Sequence, residues 1–262
     1  MSTKSTRAAC GIRVVASSLP TREAVAAARS ELAGEILQHI IVFFSNEHDP
    51  EILLDALKRD FNDTSVSGCS TSGEIGPLGM MKGGIVIIAF PENGFRLMSE
   101  VITDIDKGGV ERASEIARRL RIQMIGSASR SAKEHVFALV LVDGLSNAEE
   151  ALIAALDLSL NGIELVGGSA GDGLDFQDTV LIYRGNLVRR GAILFVIETE
   201  LPVRIFKTQN FEPTPVKLVV TAADTANRIV YELNAEPAAA EYAAAIGLRP
   251  DDHLDPGAEE HV

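Results

Sequence analysis

The chain has 262 residues, 46% apolar and 23% charged, with no Trp; 37 acidic against 24 basic side chains give a net charge of −13. That composition is globular, and its acidic excess argues against nucleic acid or an anionic membrane as the main partner. No apolar run approaches the roughly 18 residues of a spanning helix, and two cysteines, Cys10 and Cys69, build neither a disulfide framework nor a four-ligand zinc site.

Strand-like and helix-like runs alternate along the chain. The first ten residues lack the apolar stretch of a secretory signal, so a cytoplasmic location is the expectation. Residues 12–16 read as a strand, and Pro20-Thr21 opens a helix to about Gln38 with apolar Val25, Leu32 and Ile36. A strand at 40–44 follows. Asp49-Pro50-Glu51 is a helix start with Pro at the first helical position, leading to Phe61. A short strand at 65–67 runs into a Gly/Ser/Thr loop, and 84–90 with 95–102 reads as a hairpin across 91–94. A charged amphipathic helix over 110–123 leads to a polar linker at 126–134, the best internal boundary.

After that linker the pattern starts again. Ile41-Val42-Phe43-Phe44-Ser45 has its counterpart in Leu139-Val140-Leu141-Val142-Asp143, each followed by an apolar-periodic helix, 50–61 and 147–160. Each helix leads to a short strand and a glycine loop, Gly68-Cys69-Ser70-Thr71-Ser72-Gly73-Glu74 and Gly167-Gly168-Ser169-Ala170-Gly171-Asp172, and then to an apolar strand, 84–90 and 191–197. Two β-α-β-loop-β pseudo-repeats, about 40–102 and 136–198, account for this. The composition changes again at 208–215; beyond it, 217–221 and 228–233 read as a hairpin, 237–246 as a helix stopped by Gly247, and 249–262 as a polar tail. The expected class is α/β, with mixed sheets flanked by helices, either as a four-layer α-β-β-α stack or as a single doubly wound sheet.

The glycine loops hold the candidate chemistry. Gly167-Gly168-Ser169-Ala170-Gly171 matches G-x-S-x-G, the nucleophile elbow of a serine hydrolase using Ser169, yet Asp172-Gly173 opens no helix after it. The later histidines that a Ser–acid–His order needs, His253 and His261, lie in the tail. A phosphate cradle lacks a Walker lysine, and Glu74 and Asp172 at matching places would repel an anion. The same carboxylates, with loop amides, suit an ammonium or amide group held between the loops; the alternative is that the glycines only let the backbone turn. Asp172, Asp175 and Asp178 are spaced like hard-cation ligands, without the Gly and Glu of a calcium loop. Cys69 reads as a buried structural thiol or as one activated by loop amides.

These motifs, with Phe206-Lys207-Thr208-Gln209-Asn210-Phe211-Glu212-Pro213-Thr214, Val230-Tyr231-Glu232-Leu233-Asn234, Pro237-Ala238 and Glu241-Tyr242-Ala243, resemble the FIST family of sensory domains. On that resemblance, residues 1–208 correspond to the N-terminal sensory module, 209–248 to the start of a C-terminal module and 249–262 to a polar tail. It implies a non-enzymatic bacterial sensor that regulates a histidine kinase or a cyclic-di-nucleotide enzyme. The ligand is expected to be small, polar and amino-acid-like. Gly68, Cys69, Ser70, Thr71, Gly73 and Glu74 would form one wall, Gly168, Ser169, Gly171 and Asp172 the other, with Asn210 beside them. Some relatives are haem-binding nitric-oxide sensors with His where this chain has Asn210; His39, Cys69, Met80 and Tyr183 are the other side chains here that can hold a haem iron. A homodimer is one assembly open to such a module.

Overall fold

Continuous apolar runs become strands buried on both faces, and that sets the layering. The structure, a computed structural model, describes residues 2–125, 135–173, 175–207, 212–225 and 227–248. The linker expected at 126–134, the tail at 249–262 and Asn210 lie outside the described residues. The chain divides into two compact units, Met1–Ile205 and Phe206–Val262.

The first unit begins with β1 (Thr3–Arg7), β2 (Arg13–Ser17), α1 (Thr21–Glu31), β3 (Leu37–Ser45), α2 (Pro50–Asp60) and β4 (Ser65–Thr71). The short β5 (Glu74–Gly76) and β6 (Gly79–Met81) precede β7 (Ile85–Pro91), β8 (Phe95–Thr103) and α3 (Gly109–Ile125). Then come β9 (Val136–Asp143), α4 (Glu149–Leu160), β10 (Glu164–Ala170), β11 (Leu181–Tyr183), β12 (Asn186–Val188) and β13 (Gly191–Thr199). One sheet has the order β1-β2-β7-β3-β4-β11-β12, the other β10-β9-β13-β8, and β5 pairs with β6 alone. Both large sheets are mixed. β3 runs parallel to β4 across α2, and β9 parallel to β10 across α4; β7 and β13 are antiparallel to β3 and β9.

Side chains alternate between layers along each strand. Ile40, Val42 and Phe44 of β3 face α1 and α2, meeting Val25, Leu32, Leu53 and Leu57. Ala192, Leu194 and Val196 of β13 face α3 and α4, while Ile193, Phe195 and Ile197 pack with Ile41 and Leu181 between the sheets. The order is therefore helices, sheet, sheet, helices. Full burial of a Leu, Ile or Phe side chain contributes about 1.5–3 kcal/mol, so these three apolar layers are the main favourable term. Among the described residues no helix is long and apolar enough to cross a membrane.

Several sequence expectations need correction. The first helix ends at Glu31, not near Gln38, because Gly34 turns the chain at φ +82°, and β3 starts three residues earlier than expected, at Leu37. The hairpin expected across 91–94 does not form. β7 pairs with β2 and β3, whereas β8 crosses to the other sheet and pairs with β13. Phe90 and Phe95 meet at that crossing, their rings T-shaped at 5.6 Å. Both expected glycine loops are largely strand, in β4 and β10.

In the second unit, β14 (Val220–Asp224), β15 (Ile229–Leu233) and β16 (Glu236–Pro237) form an antiparallel sheet followed by α5 (Ala238–Ala245).

Candidate functional site

β3 and β4 end side by side at Ser45 and Thr71, and α2 starts just beyond the first of them. The carboxyl ends of parallel strands are where α/β sheets bind ligands, since the loops there converge on one crevice. A cavity of about 440 Å³ opens at this place, lined by Asn46 and His48 after β3, Ser70 of β4, and Asp172, Asp175, Gln177 and Asp178 of the loop after β10.

Each polar wall residue has a defined anchor. Asp49 caps α2, its carboxylate accepting from the N–H groups of Glu51 at 2.9 Å and Ile52 at 3.1 Å. Those donors are therefore not offered to an anion. Asp172 is buried and organises its own loop: Oδ1 accepts from Phe176 N–H at 3.1 Å, and Oδ2 from Gln177 and Asp178 N–H at 2.6 and 2.9 Å. Burial works against its charge, but the N–H groups of Asp178, Gln177 and Phe176 outweigh it and hold its pKa below the ordinary carboxylate value. Asn46 Nδ2 donates to Asp172 O at 2.7 Å and to Asp175 Oδ2 at 3.3 Å, tying the end of β3 to that loop. Asp178 is held by a bidentate pair with Arg189, which also lowers its pKa. His48 lies between Thr21 Oγ1 at 2.9 Å and Gly83 O at 3.2 Å. A carbonyl only accepts, so in the neutral ring Nε2 carries the proton and Nδ1 accepts from Thr21.

Of the residues assigned from sequence to the two ligand walls, the cavity takes Ser70 and Asp172, and it also takes Asp175 and Asp178 of the aspartate series. The two glycine segments do meet, but they bond directly to one another: Gly171 N–H donates to Ser70 O at 3.1 Å, and Ser72 Oγ bonds Gly173 O and N–H at 3.1 and 3.2 Å. A Cβ on Gly171 would lie 2.3 Å from Ser72 Oγ. The ligand gap expected between the segments is thus filled by their own contact. Glu74 is buried, accepting from Thr71 Oγ1 and from Gly84 N–H at 3.0 Å, so it closes a turn rather than facing Asp172. A Cβ on Gly73 would lie 3.6 Å from Met81 O, an ordinary contact. Gly68 passes so close under β3 that a Cβ would sit 2.1 Å from Val42 O; Gly167 does the same under Val140 O at 2.0 Å. Those two glycines serve packing. Cys69 is buried between the sheets, and burial pushes its thiol up to about 12, an inert group. Gly168 and Ser169 are exposed on β10.

Two alternative chemistries fail on geometry. Ser169 sits within a strand and not on a strand–helix turn, and its hydroxyl donates to Glu149 Oε2 at 2.6 Å; a nucleophile elbow has a different shape. Nor do the remaining haem-ligand candidates fit an iron. His39 is buried with Nε2 3.1 Å from Ser67 Oγ, Cys69 is packed between sheets, Tyr183 donates to Ser99 O at 2.7 Å, and Met80 stands alone on the surface. No cluster of three or more His, Cys, Asp or Glu able to hold a metal occurs among the described residues.

Fold and cavity together define a two-sheet α/β module with a polar pocket at the carboxyl ends of parallel strands. Residues 38–236 match the FIST N domain, so the chain belongs to the FIST N family. The match ends at 236, within the 209–248 segment that the resemblance gives to the start of a C-terminal module. An uncharacterized protein of Methanocaldococcus jannaschii is 24% identical over 192 residues, 72% of this chain and 36% of that relative. The chain therefore spans about a third of the length of that curated relative.

Asn46, His48 and Gln177 were not legible as wall residues from motif spacing. A usable signal existed: Asn46 and His48 follow a strand and precede a Pro-led helix, which is the position the carboxyl-end rule points to.

Proposed function

We propose that this chain is a sensory module that binds a small polar ligand bearing an ammonium group, such as an amino acid. The reading is of a binding protein without catalysis, which passes occupancy to a histidine kinase or a cyclic-di-nucleotide enzyme in the cytoplasm. One observation carries it: the cavity wall holds Asp172, Asp175 and Asp178 and, among the described residues, neither Lys nor Arg. Such a wall attracts a cation and repels phosphate. Asp175 is the exposed carboxylate of the three that is held neither by Arg nor by three backbone donors, so it is the group assigned to the ammonium.

We further read the two β-α-β units as pseudo-repeats. Supporting this, Val42 lies opposite Gly68 and Val140 opposite Gly167, with both glycines pressed under a carbonyl. The test of function is a thermal-shift screen of amino acids beside their deaminated acids and inorganic phosphate. A ligand at 100 times its Kd stabilises by about 2.7 kcal/mol. Shifts confined to ammonium compounds are expected; a shift from phosphate alone, or from none of them, contradicts the reading.

A further inference from the structure

β4 and β10 hold the same place in their sheets, each parallel to the strand before it. Their outer sides differ. β11 pairs antiparallel on β4, from Leu181 opposite Cys69 to Tyr183 opposite Ser67, and Val180 and Ile182 fill the space beside α2. β10 ends its sheet, with no strand on its outer side among the described residues. Residues 66–70 of β4 are accordingly buried, while Glu164, Val166, Gly167, Gly168 and Ser169 of β10 are exposed. On β4 the incoming strand is met by Ser70 N–H, which donates to Val180 O at 2.9 Å, and by Val66 O, which accepts from Arg184 N–H at 3.0 Å. The matching register on β10 turns the backbone groups of Leu165, Gly167 and Ser169 outward.

Where Val180 and Ile182 stand beside α2, the second sheet has instead a groove of about 280 Å³ between α4 and β10. Val140, Val142, Ile153 and Leu165 give it an apolar lining; Glu149 and Asp157 give it negative charge. Glu149, Ile153 and Asp157 follow one another at four-residue steps, so they share a face of α4.

We propose that this groove and strand edge dock an extended segment of a partner protein, which adds an antiparallel strand to β10 and carries Lys or Arg on both sides of an apolar residue. The spacing is complementary. Eight residues separate the two carboxylates along α4, a rise of about 12 Å. On a strand, the residues two before and two after a central one share its face and stand about 13 Å apart. A Lys-x-Val-x-Lys segment therefore sets Val over Ile153 and one Lys at each carboxylate, while its backbone completes the open ladder. Free strand edges recruit such segments, and charge chooses among them. The surface shares none of its lining with the polar cavity, so this inference stands apart from the ligand proposal.

The test uses the whole chain and two capped heptapeptides, Ser-Lys-Thr-Val-Thr-Lys-Ser and its Glu counterpart, Ser-Glu-Thr-Val-Thr-Glu-Ser. Calorimetric titration should give a Kd at least tenfold lower for the Lys peptide, and amide exchange should slow at Leu165, Gly167 and Ser169 when it binds. The double variant Glu149→Lys with Asp157→Lys, checked for folding by circular dichroism, should reverse the preference. Equal binding of the two peptides, or binding of neither, overturns the proposal, and that arm needs no variant. Slow exchange of those three amides without peptide also overturns it: in a monomer the chain itself would be the occupant, and in a dimer by sedimentation a second copy.

Discussion

His39 sits in β3 with its ring edge on Phe195 at 5.5 Å and Nε2 on Ser67. Burial, and then the charge of Arg184, hold its pKa at about 4 against 6.5 in the unfolded chain. Between those values the unfolded chain binds a proton that the folded chain does not. The His39 contribution is thus complete above pH 6.5 and is lost as pH falls toward 4. Over that window it amounts to about 3 kcal/mol. Melting temperature measured against pH should fall across this range, and His39→Gln should flatten that part of the profile; an unchanged slope in the variant contradicts the assignment. Asp172 acts on a lower range. Its pKa is depressed by three backbone N–H groups, so its stabilisation persists above the unfolded value and disappears as pH falls through the folded one. Asp172→Ala leaves those donors unpaired and should cost about 1–3 kcal/mol in urea unfolding at pH 7. An effect below a few tenths of that range would mean that the loop orders itself without the carboxylate.

At the scale of elements, Gly68 and Gly167 explain why two segments that read as loops are strands. Glycine is depleted in strands, but these glycines lie under the carbonyls of Val42 and Val140, where a side chain has no room. Gly167→Ala should therefore destabilise by about 1–3 kcal/mol through overpacking. Gly168→Ala, with nothing within 4 Å of its added Cβ, should be close to neutral. Similar losses at both positions would contradict this account; equilibrium unfolding of the two variants decides it. The apolar strands themselves were legible, because runs such as 191–197 have no polar face and can only be buried twice. The β11–β12 hairpin was not. Its two turn residues, Arg184 and Gly185, have φ +45° and +77°, the two-residue turn that usually advertises itself as Asn-Gly or Asp-Gly. Nor can spacing tell a hairpin from a crossing between stacked sheets, which is why 84–102 misled. The same limit hid the cavity: its wall comes from segments far apart in sequence, with Asn46 tied to Asp172 and Asp175.

Across the whole first unit, the two sheets exchange strands. β8 leaves the first half to complete the second sheet, and β11–β12 leaves the second half to complete the first. Neither half can close its sheet alone, so the Met1–Ile205 unit should melt in one transition, with calorimetric and van't Hoff enthalpies equal for that transition. Two separate transitions, each reporting one half of that unit, would contradict the interlock. The same interlock places the loop after β10 against the end of β3 and so builds the polar cavity from both halves. The net charge of −13 gives it a surrounding field that draws cations. Whether the cavity is a cation-selecting ligand site is read most directly by calorimetric titration of the strongest amino-acid hit from the screen into the wild type and into Asp175→Asn. The account predicts binding to the wild type and at least a tenfold loss of affinity in the variant, with the melting temperature of the free protein unchanged. Equal affinity in the two proteins would contradict it.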